Sequence, residues 1–148
     1  MGRTSHRRPN RPAATASRQR VVERAEAFVR ADVAAPVPVS TLCHLLGLSE
    51  RALRNAFYSV RGMSPKRWML AERLQGVRGA LSQGCAGPVT VTDVATDFGF
   101  YELGRFAATY KEAFGEAPSE TVARIRRQAV REQNVTHERH ADVCTSSR

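Results

Sequence analysis

Apolar residues recur at helical spacing in consecutive segments of the chain. Phe106, Tyr110 and Phe114 are the clearest case, because residues four apart share one face of a helix and are expected to be buried together. The opposite face of this segment is small and basic, and a short apolar helix precedes it across Gly99. A short helix, a tight turn and a basic second helix in this order predict a helix-turn-helix unit.

Capping residues and prolines divide the chain into further helices. Ser17 and Ser49 are predicted N-caps, whose side-chain oxygens accept a backbone N–H. Thr90 with Asp93 resembles a capping box, and Pro65 fits the first turn of a long helix. The pattern predicts an all-α fold of about seven helices, in which two helix-turn-helix subdomains are joined by a long linker helix. The predicted helices cover approximately residues 18–34, 39–46, 50–61, 65–83, 91–98, 101–115 and 118–127.

The two halves of the chain repeat one another. Matching residues lie 52 positions apart up to the turn and 53 positions apart after it. The change of one residue falls inside the turn, where an insertion is tolerated best. Because the core pattern is kept, and with it the turn glycine that supplies a positive φ, we interpret the halves as two helix-turn-helix units. The matched pairs include Leu42 with Val94, Gly47 with Gly99, Leu53 with Phe106, Phe57 with Tyr110, and Gly62 with Gly115.

The two ends of the chain differ in composition from the segment between them. Residues 1–16 contain four arginines and no acidic residue, so we expect a disordered basic arm there. Such an arm either contacts phosphates or a minor groove, or is a passive tail. Residues 128–148 lack a clear apolar stripe and are predicted to form a flexible tail. The predicted folded domain covers residues 17–127, with a first unit at 17–63, a linker helix at 64–83 and a second unit at 89–127.

The charge of the chain favours a polyanionic partner. The formal net charge is +9 and the pI is about 10.7, and clustered arginines release counterions from nucleic acid. A basic protein that is merely soluble has the same charge, so charge alone does not decide between the two. Only Lys66 and Lys111 are lysines. Arginine suits bidentate contacts to phosphate and guanine, although a GC-rich genome gives the same bias.

Several classes of protein are not expected. No apolar run approaches the roughly 18 residues that a membrane span needs, and the arginine-rich start is not a secretory signal. Three cysteines without repeated spacing argue against a disulfide framework and fit a reducing compartment. No nucleophile elbow, phosphate loop or zinc-protease motif is present, so we expect neither an enzyme nor a bound cofactor or metal ion. The expected location is the bacterial cytoplasm, at the nucleoid.

Two stretches carry a resemblance to a known family. The second unit reads Val91-Thr92-Asp93-Val94-Ala95, Gly99-Phe100, Leu103-Gly104-Arg105-Phe106, Tyr110 and Phe114-Gly115-Glu116-Ala117-Pro118-Ser119, and the first reads Gly47-Leu48-Ser49, Leu53, Phe57 and Gly62-Met63-Ser64-Pro65. Together they resemble the DNA-binding domain of the AraC/XylS family of bacterial transcription regulators, over about Val21 to Arg127. The chain departs from that family at Pro38, where a capping Ser or Thr is usual, and at Tyr101, where a short polar residue is common.

The resemblance implies two recognition helices in adjacent major grooves of double-stranded DNA. It places Arg51, Arg54 and Asn55 against bases, with Gly104, Arg105 and Ala108 in the corresponding places of the second unit. Arginine can bind guanine O6 and N7 and asparagine can pair with adenine, so we expect the first unit to supply most of the direct readout. The implied base contacts are Arg51, Arg54, Asn55, Gly104, Arg105 and Ala108, and the implied phosphate contacts are Ser49, Tyr58, Arg61, Thr90 and Lys111.

The sequence therefore predicts a sequence-specific, DNA-binding regulator of transcription that is monomeric on DNA. RNA polymerase is a candidate protein partner. Two alternatives stay open: a protein-interaction module whose DNA binding is weak and non-specific, and a DNA-binding fragment detached from a longer regulator. Most members of the family also carry a ligand-sensing domain, and the sixteen residues before the predicted domain cannot form one.

Overall fold

The computed structural model describes residues 11–83 and 90–144, including the side chains of residues 15–83 and 90–131. All regular structure in these ranges is α-helical, which confirms the predicted fold class. None of the helices described is long and apolar enough to cross a membrane. In chain order they are α1 (Arg11–Ala31), α2 (Val39–Leu46), α3 (Glu50–Arg61), α4 (Pro65–Gln83), α5 (Val91–Asp97), α6 (Leu103–Phe114) and α7 (Pro118–Cys144).

The bounds of α2, α3 and α4 agree with the predicted helices. Gly47 ends α2 with a φ of 65°, a left-handed conformation that is strained for a residue with a Cβ. The sequence therefore needs glycine at this turn, as predicted. Ser49 caps α3, also as predicted, because its Oγ accepts the backbone N–H of Ala52 at 3.2 Å.

The predicted start of α1 is wrong. The helix begins at Arg11, so Ser17 lies inside it and is not its N-cap. Pro12 is tolerated because the N–H groups of a first turn have no partner within the helix, and the alanines that follow favour helix. Residues 11–16, which we expected in the disordered arm, are therefore helical, whereas residues 1–10 lie outside the described residues.

The C-terminal ends of α1 and α7 also differ from prediction. α1 ends at Ala31, earlier than expected, because Asp32 Oδ1 accepts the N–H of Ala35 at 3.2 Å and turns the chain. α7 continues to Cys144, through the segment that we expected to be a flexible tail. No glycine or proline follows Pro118, so the sequence contains no strong signal that would stop this helix. The predicted domain boundaries stay predictions.

The chain divides into two units within α4, between Glu72 and Arg73, and each unit has its own core. In the first unit, Phe57 of α3 is fully buried and packs against Trp68, with the ring centroids 5.7 Å apart. Both aromatic residues are thus core residues of the first unit. The buried core cluster of this unit consists of Val22, Ala25, Val29, Leu42, Cys43, Leu53, Ala56, Phe57, Trp68 and Met69.

In the second unit, α5, α6 and α7 contact one another, and Tyr110 of α6 is fully buried. Phe106 is buried as predicted, whereas Phe114 is only partly buried. A buried hydroxyl without a partner would be costly, and the Tyr110 hydroxyl lies 3.0 Å from Oγ1 of Thr121, which is also fully buried. The buried apolar residues described for this unit are Leu74, Val77, Leu81, Val94, Ala95, Phe106 and Tyr110.

Candidate nucleic-acid interface

The turns of the two units have the same hydrogen bonds. In the first turn, the N–H of Leu48 donates to the carbonyl of Cys43 at 3.0 Å, and in the second, the N–H of Phe100 donates to the carbonyl of Ala95 at 2.8 Å. Gly99 has a φ of 74°, in the left-handed region that the glycine of the first turn also adopts. Because equivalent bonds lie 52 residues apart, the repeat in the sequence is also a repeat in the structure.

The second helices of the units, α3 and α6, start in equivalent ways 53 residues apart. Their N-caps are Ser49 and Glu102, and each N-cap carbonyl accepts the N–H of the residue four positions later. Tyr101 is the additional residue of the second turn, and it is 76% exposed. α6 therefore begins at Leu103, later than predicted.

One face of α3 is buried in the core of the first unit, and the other presents polar side chains to solvent. Arg51, Arg54 and Asn55 are exposed, and Tyr58 is 54% exposed. Among the described side chains, no carboxylate pairs with Arg51 or Arg54. The structure therefore brings four of the predicted DNA-contacting residues onto one surface, and this α3 face carries two unpaired guanidinium groups.

Two predicted phosphate contacts, Ser49 and Thr90, are helix caps. Ser49 Oγ accepts an N–H in its cap, which leaves its hydroxyl proton for another acceptor. Thr90 and Asp93 form the predicted capping box: Thr90 Oγ1 accepts the N–H of Asp93 at 3.2 Å, and Asp93 Oδ2 accepts the N–H of Thr90 at 3.0 Å. The Thr90 hydroxyl also donates to Asp93 Oδ2 at 2.7 Å. The hydrogen bonds from the Thr90 hydroxyl and then its backbone lower the pKa of Asp93. The Thr90 hydroxyl therefore already has its acceptor within the chain.

Arg61 lies at the end of α3, but its guanidinium group contacts α1. Its Nε donates to Glu26 Oε1 at 2.5 Å and its Nη2 to Oε2 at 2.7 Å, a bidentate arrangement. Glu26 is only 3% exposed, and Arg30 Nη1 also donates to it at 3.2 Å. The hydrogen bonds to Glu26 raise the pKa of Arg61. This pairing with a buried carboxylate favours a structural role for Arg61 over the phosphate contact that we expected.

The exposed face of α6 offers fewer polar groups. Gly104, Arg105, Ala108 and Lys111 are all exposed, and a Cβ added at Gly104 would meet open space. Arg105 Nη1 lies 3.3 Å from Oε2 of Glu102, and these two side chains are 78% and 72% exposed. The α6 face therefore presents one guanidinium group, and that group already has an acidic partner.

The N-caps of α3 and α6 define which residues of the two helices correspond. Counted from the two N-caps, Arg105 is equivalent to Ala52, and Ala107 is equivalent to Arg54. Arg105 therefore lies two residues before the position that corresponds to Arg54, and its contact to a base stays a prediction. Arg105 lies in the first turn of α6, one turn after Glu102, because both helix starts are fixed by their N-cap hydrogen bonds.

Sequence reasoning missed two groups near the second turn. Glu102 pairs with Arg105, and opposite charges three residues apart on a helix are a signal that could have identified this pair. Arg73 of α4 lies over the ring of Phe100, with Cζ 5.6 Å from the centroid, and burial lowers its pKa. No local pattern identifies Arg73, because its aromatic partner is distant in the sequence.

The described side chains include no group of three or more His, Cys, Asp or Glu residues that could hold a metal ion. Cys43 is buried, and this burial raises the pKa of its thiol. Its thiol therefore behaves as a small apolar group in the first core. The expectation that the chain binds no cofactor stays a prediction.

Known proteins share this arrangement of helices and turns. The family described as a helix-turn-helix domain matches residues 42–124. The crystal structure of a probable AraC family transcriptional regulator from Rhodopseudomonas palustris CGA009 is similar, with a TM-score of 0.67 and 39% identity over 72% of this chain and 98% of that one. A XylDLEGF operon transcriptional activator of Pseudomonas putida is 33% identical over 106 residues, 72% of this chain and 33% of that protein. A probable thc operon regulatory protein of Rhodococcus erythropolis is 31% identical over 105 residues, 71% of this chain and 32% of that protein.

The arrangement of the helices identifies the class of protein, and the similar proteins identify its family. The class is that of helix-turn-helix proteins, and both units have its short helix, turn and second helix. The chain belongs to the AraC family of transcriptional regulators, which confirms the resemblance inferred from its sequence. It spans about a third of the length of the Pseudomonas and Rhodococcus relatives.

Proposed function

We propose that the chain binds double-stranded DNA in a sequence-specific manner and regulates transcription. In this proposal α3 and α6 enter adjacent major grooves, and their exposed faces contact bases. Membership of the AraC family supports DNA binding, and so does the presence of two complete helix-turn-helix units. The names of two relatives describe an activator and a regulator of operons, which supports the regulatory role.

The α3 face is the observation that carries this proposal. Its arginines are exposed and lack acidic partners among the described residues, whereas Arg30 and Arg61 in the same unit bind Glu26. Unpaired guanidinium groups on the second helix of such a unit can bind guanine O6 and N7 bidentately. Asn55 beside them can pair with adenine N6 and N7. The α3 face therefore has the chemistry for reading three bases.

The two faces contribute unequally in this proposal. The α3 face supplies most of the direct readout through Arg51, Arg54 and Asn55. Gly104 and Ala108 of α6 allow close approach or contact a thymine methyl group, and Arg105 is the one guanidinium there. Phosphate contacts come from Ser49, Tyr58 and Lys111, which are exposed. Arg61 and Thr90 are not among the proposed phosphate contacts, because they donate hydrogen bonds to Glu26 and Asp93 within the chain.

Selection of bound sequences from random DNA, followed by Arg54→Ala, tests the proposal. The wild-type chain should enrich a defined motif. Arg54→Ala should weaken binding to that motif by about 1–3 kcal/mol and relax the preference at one position, because one bidentate base contact is lost. Affinities are to be compared at a fixed salt concentration, because phosphate contacts make binding salt-dependent.

Arg24→Ala is the matched control. Arg24 is an exposed arginine of α1, outside both helix-turn-helix motifs, so its removal changes the net charge equally. This variant should bind the selected motif and unrelated DNA with the same ratio as the wild type. If Arg54→Ala also lowers affinity equally on all sequences, base readout by α3 is excluded. If no motif is enriched at all, the alternative of a protein-interaction module gains support.

Two further partner predictions belong to this proposal. The chain binds as a monomer, because two recognition helices in one chain remove the need for a dimer on an asymmetric site. Analytical ultracentrifugation of the complex with a selected site should therefore give one chain per duplex. RNA polymerase is the proposed protein partner in transcription. Transcription by this enzyme from a promoter that carries the selected site, measured with and without the chain, tests whether the chain regulates it.

A further inference from the structure

The carboxylate of Glu102 lies at the start of the helix that we assign to a major groove, where DNA phosphates repel a negative charge. Glu102 is the N-cap of α6, but its side chain makes no capping hydrogen bond. At the equivalent position of the first unit, Ser49 does cap its helix. The side chain of Glu102 therefore does not serve the start of α6 in the way that its counterpart serves α3.

The carboxylate of Glu102 instead contacts Arg105, one turn later. The Oε2–Nη1 distance is 3.3 Å, and both side chains are more than 70% exposed, at 72% and 78%. An exposed ion pair of this kind contributes little to stability. Its location gives it another use, since it presents a hydrogen-bond acceptor and a set of donors side by side on the α6 face. A base pair that presents both a hydrogen-bond donor and acceptors in the major groove can bind such a combination.

We propose that Glu102 determines specificity: its carboxylate accepts a hydrogen bond from the N4 amino group of a cytosine, beside a guanine that Arg105 contacts. This inference rests on the proposed function and adds a base class to it. Guanine presents only acceptors to a carboxylate in the major groove, and thymine presents an acceptor and a methyl group. Adenine has an amino donor, but its neighbouring N7 acceptor disfavours a carboxylate. Cytosine is the base whose edge offers a donor alone.

The ion pair also explains how an acidic side chain is accommodated beside DNA. Arg105 neutralises the charge of Glu102, so the pair as a whole does not oppose the phosphate backbone. Without Glu102, Arg105 would be free to bind any nearby phosphate. With it, the guanidinium group is held near the start of α6, where residues of a recognition helix contact base edges. Glu102 therefore disfavours non-specific contacts and favours G·C-containing sites.

The experiment is a selection from random DNA with the wild type, Glu102→Gln and Glu112→Gln. Glu102→Gln should lose the cytosine preference at one position, with discrimination there falling roughly 5- to 150-fold. Glu112 is an exposed residue of the same helix, so Glu112→Gln removes the same charge farther from the helix start. Glu112→Gln should bind every sequence more tightly than the wild type does, by about the same factor for each sequence. It should therefore select the same motif as the wild type. Circular dichroism should show the same helix content for all three proteins.

The outcomes separate this inference from the proposed function. If the wild type enriches no motif, the proposed function itself fails. Because glutamine keeps a carbonyl acceptor, Glu102→Ala is selected as well. If the wild type enriches a motif that both variants leave unchanged, the proposed function stands and the role of Glu102 is excluded. Arg105→Ala identifies the guanine position independently. If Glu102→Gln alters only that guanine position, Glu102 acts by holding Arg105, and the cytosine contact is excluded.

Discussion

The interiors of the two units differ at positions that their backbones make equivalent. In the first unit, the rings of Phe57 and Trp68 pack against each other with centroids 5.7 Å apart. In the second, Tyr110 and Thr121 occupy the positions 53 residues later and bring their hydroxyl oxygens to 3.0 Å. The helix that carries the second member begins with the same backbone hydrogen bond in both units. An aromatic pair and a hydroxyl pair thus fill the same place in the same fold.

A second difference lies where the preceding helix meets the end of α3 or α6. In the first unit, the buried carboxylate of Glu26 binds Arg61. The equivalent residues of the second unit are Arg78 and Phe114, and the Arg78 guanidinium carbon lies 4.7 Å from the ring centroid of Phe114. A cation–π contact thus replaces an ion pair. Arg78 stands where the first unit has Glu26, so the charge at this position is reversed.

The comparison shows which features the fold requires and which it exchanges. The turn hydrogen bonds and the apolar spacing are the same in both units, so these define the helix-turn-helix arrangement. The interior contacts differ, but each replacement involves both partners. A threonine facing Phe57 would lack a hydroxyl partner, and a carboxylate facing a phenyl ring would be a buried charge without a cation. Single exchanges between the units should therefore destabilise, and paired exchanges should recover part of the loss.

Trp68→Thr, which places the second unit's residue in the first, should have the largest effect. The free energy of unfolding should fall by about 3–5 kcal/mol, because a buried aromatic side chain is lost and a cavity remains. The new hydroxyl group would also face the ring of Phe57 without a partner. Urea denaturation followed by circular dichroism measures this change.

Adding Phe57→Tyr to Trp68→Thr completes the exchange. The double variant should regain about 0.5–1.5 kcal/mol, because the two hydroxyl groups can then form the hydrogen bond seen between Tyr110 and Thr121. Phe57→Tyr alone, the control, should destabilise the chain, because its hydroxyl would be buried beside an indole ring. Additive effects in the double variant would show that the two positions are not coupled as a pair.

Arg61→Ala should have the next largest effect, because it leaves the buried Glu26 with Arg30 as its remaining cation. We expect a loss of about 1–3 kcal/mol in unfolding free energy, less than for a fully buried pair since the Arg61 side chain is 40% exposed. Replacing both partners, with Glu26→Leu and Arg61→Leu, should recover most of that loss. Stability is again measured by urea denaturation.

DNA binding by the same variants decides between the two roles of Arg61. If Arg61 is structural, Glu26→Leu with Arg61→Leu should bind DNA as the wild type does once the protein is folded. If Arg61→Ala keeps its stability but loses affinity with a smaller salt dependence, Arg61 contacts a phosphate and the structural interpretation is wrong.

The parts of the fold that local patterns encode could be predicted from the sequence. Gly47 and Gly99 determine the turns, and Thr90 with Asp93 determines the start of α5, because each acts on its nearest neighbours. The pairing of Arg61 with Glu26 could not be predicted in this way. The two residues are distant in the sequence, and on α3 alone Arg61 follows the same helical pattern as the exposed arginines. Only the packing of α1 against α3 distinguishes it from them.

The acid sensitivity of the second unit should give the smallest effect. Hydrogen bonds from Arg124, and then from Thr121, lower the pKa of Glu116 from its ordinary value of 4.5 to about 2. Because the folded state lowers this pKa, Glu116 stabilises the fold fully above about pH 4.5, and the contribution is lost as the pH falls towards 2.

Glu116→Gln should therefore melt below the wild type at neutral pH, and the difference between their melting temperatures should shrink as the pH falls from about 4.5 towards 2. Glu112→Gln, at an exposed position on the same unit, should show no such convergence in thermal melts followed by circular dichroism. A constant difference between Glu116→Gln and the wild type down to pH 2 would mean that the carboxylate is not held by Arg124 in solution, and the polar interior of the second unit would then depend on Tyr110 and Thr121 alone.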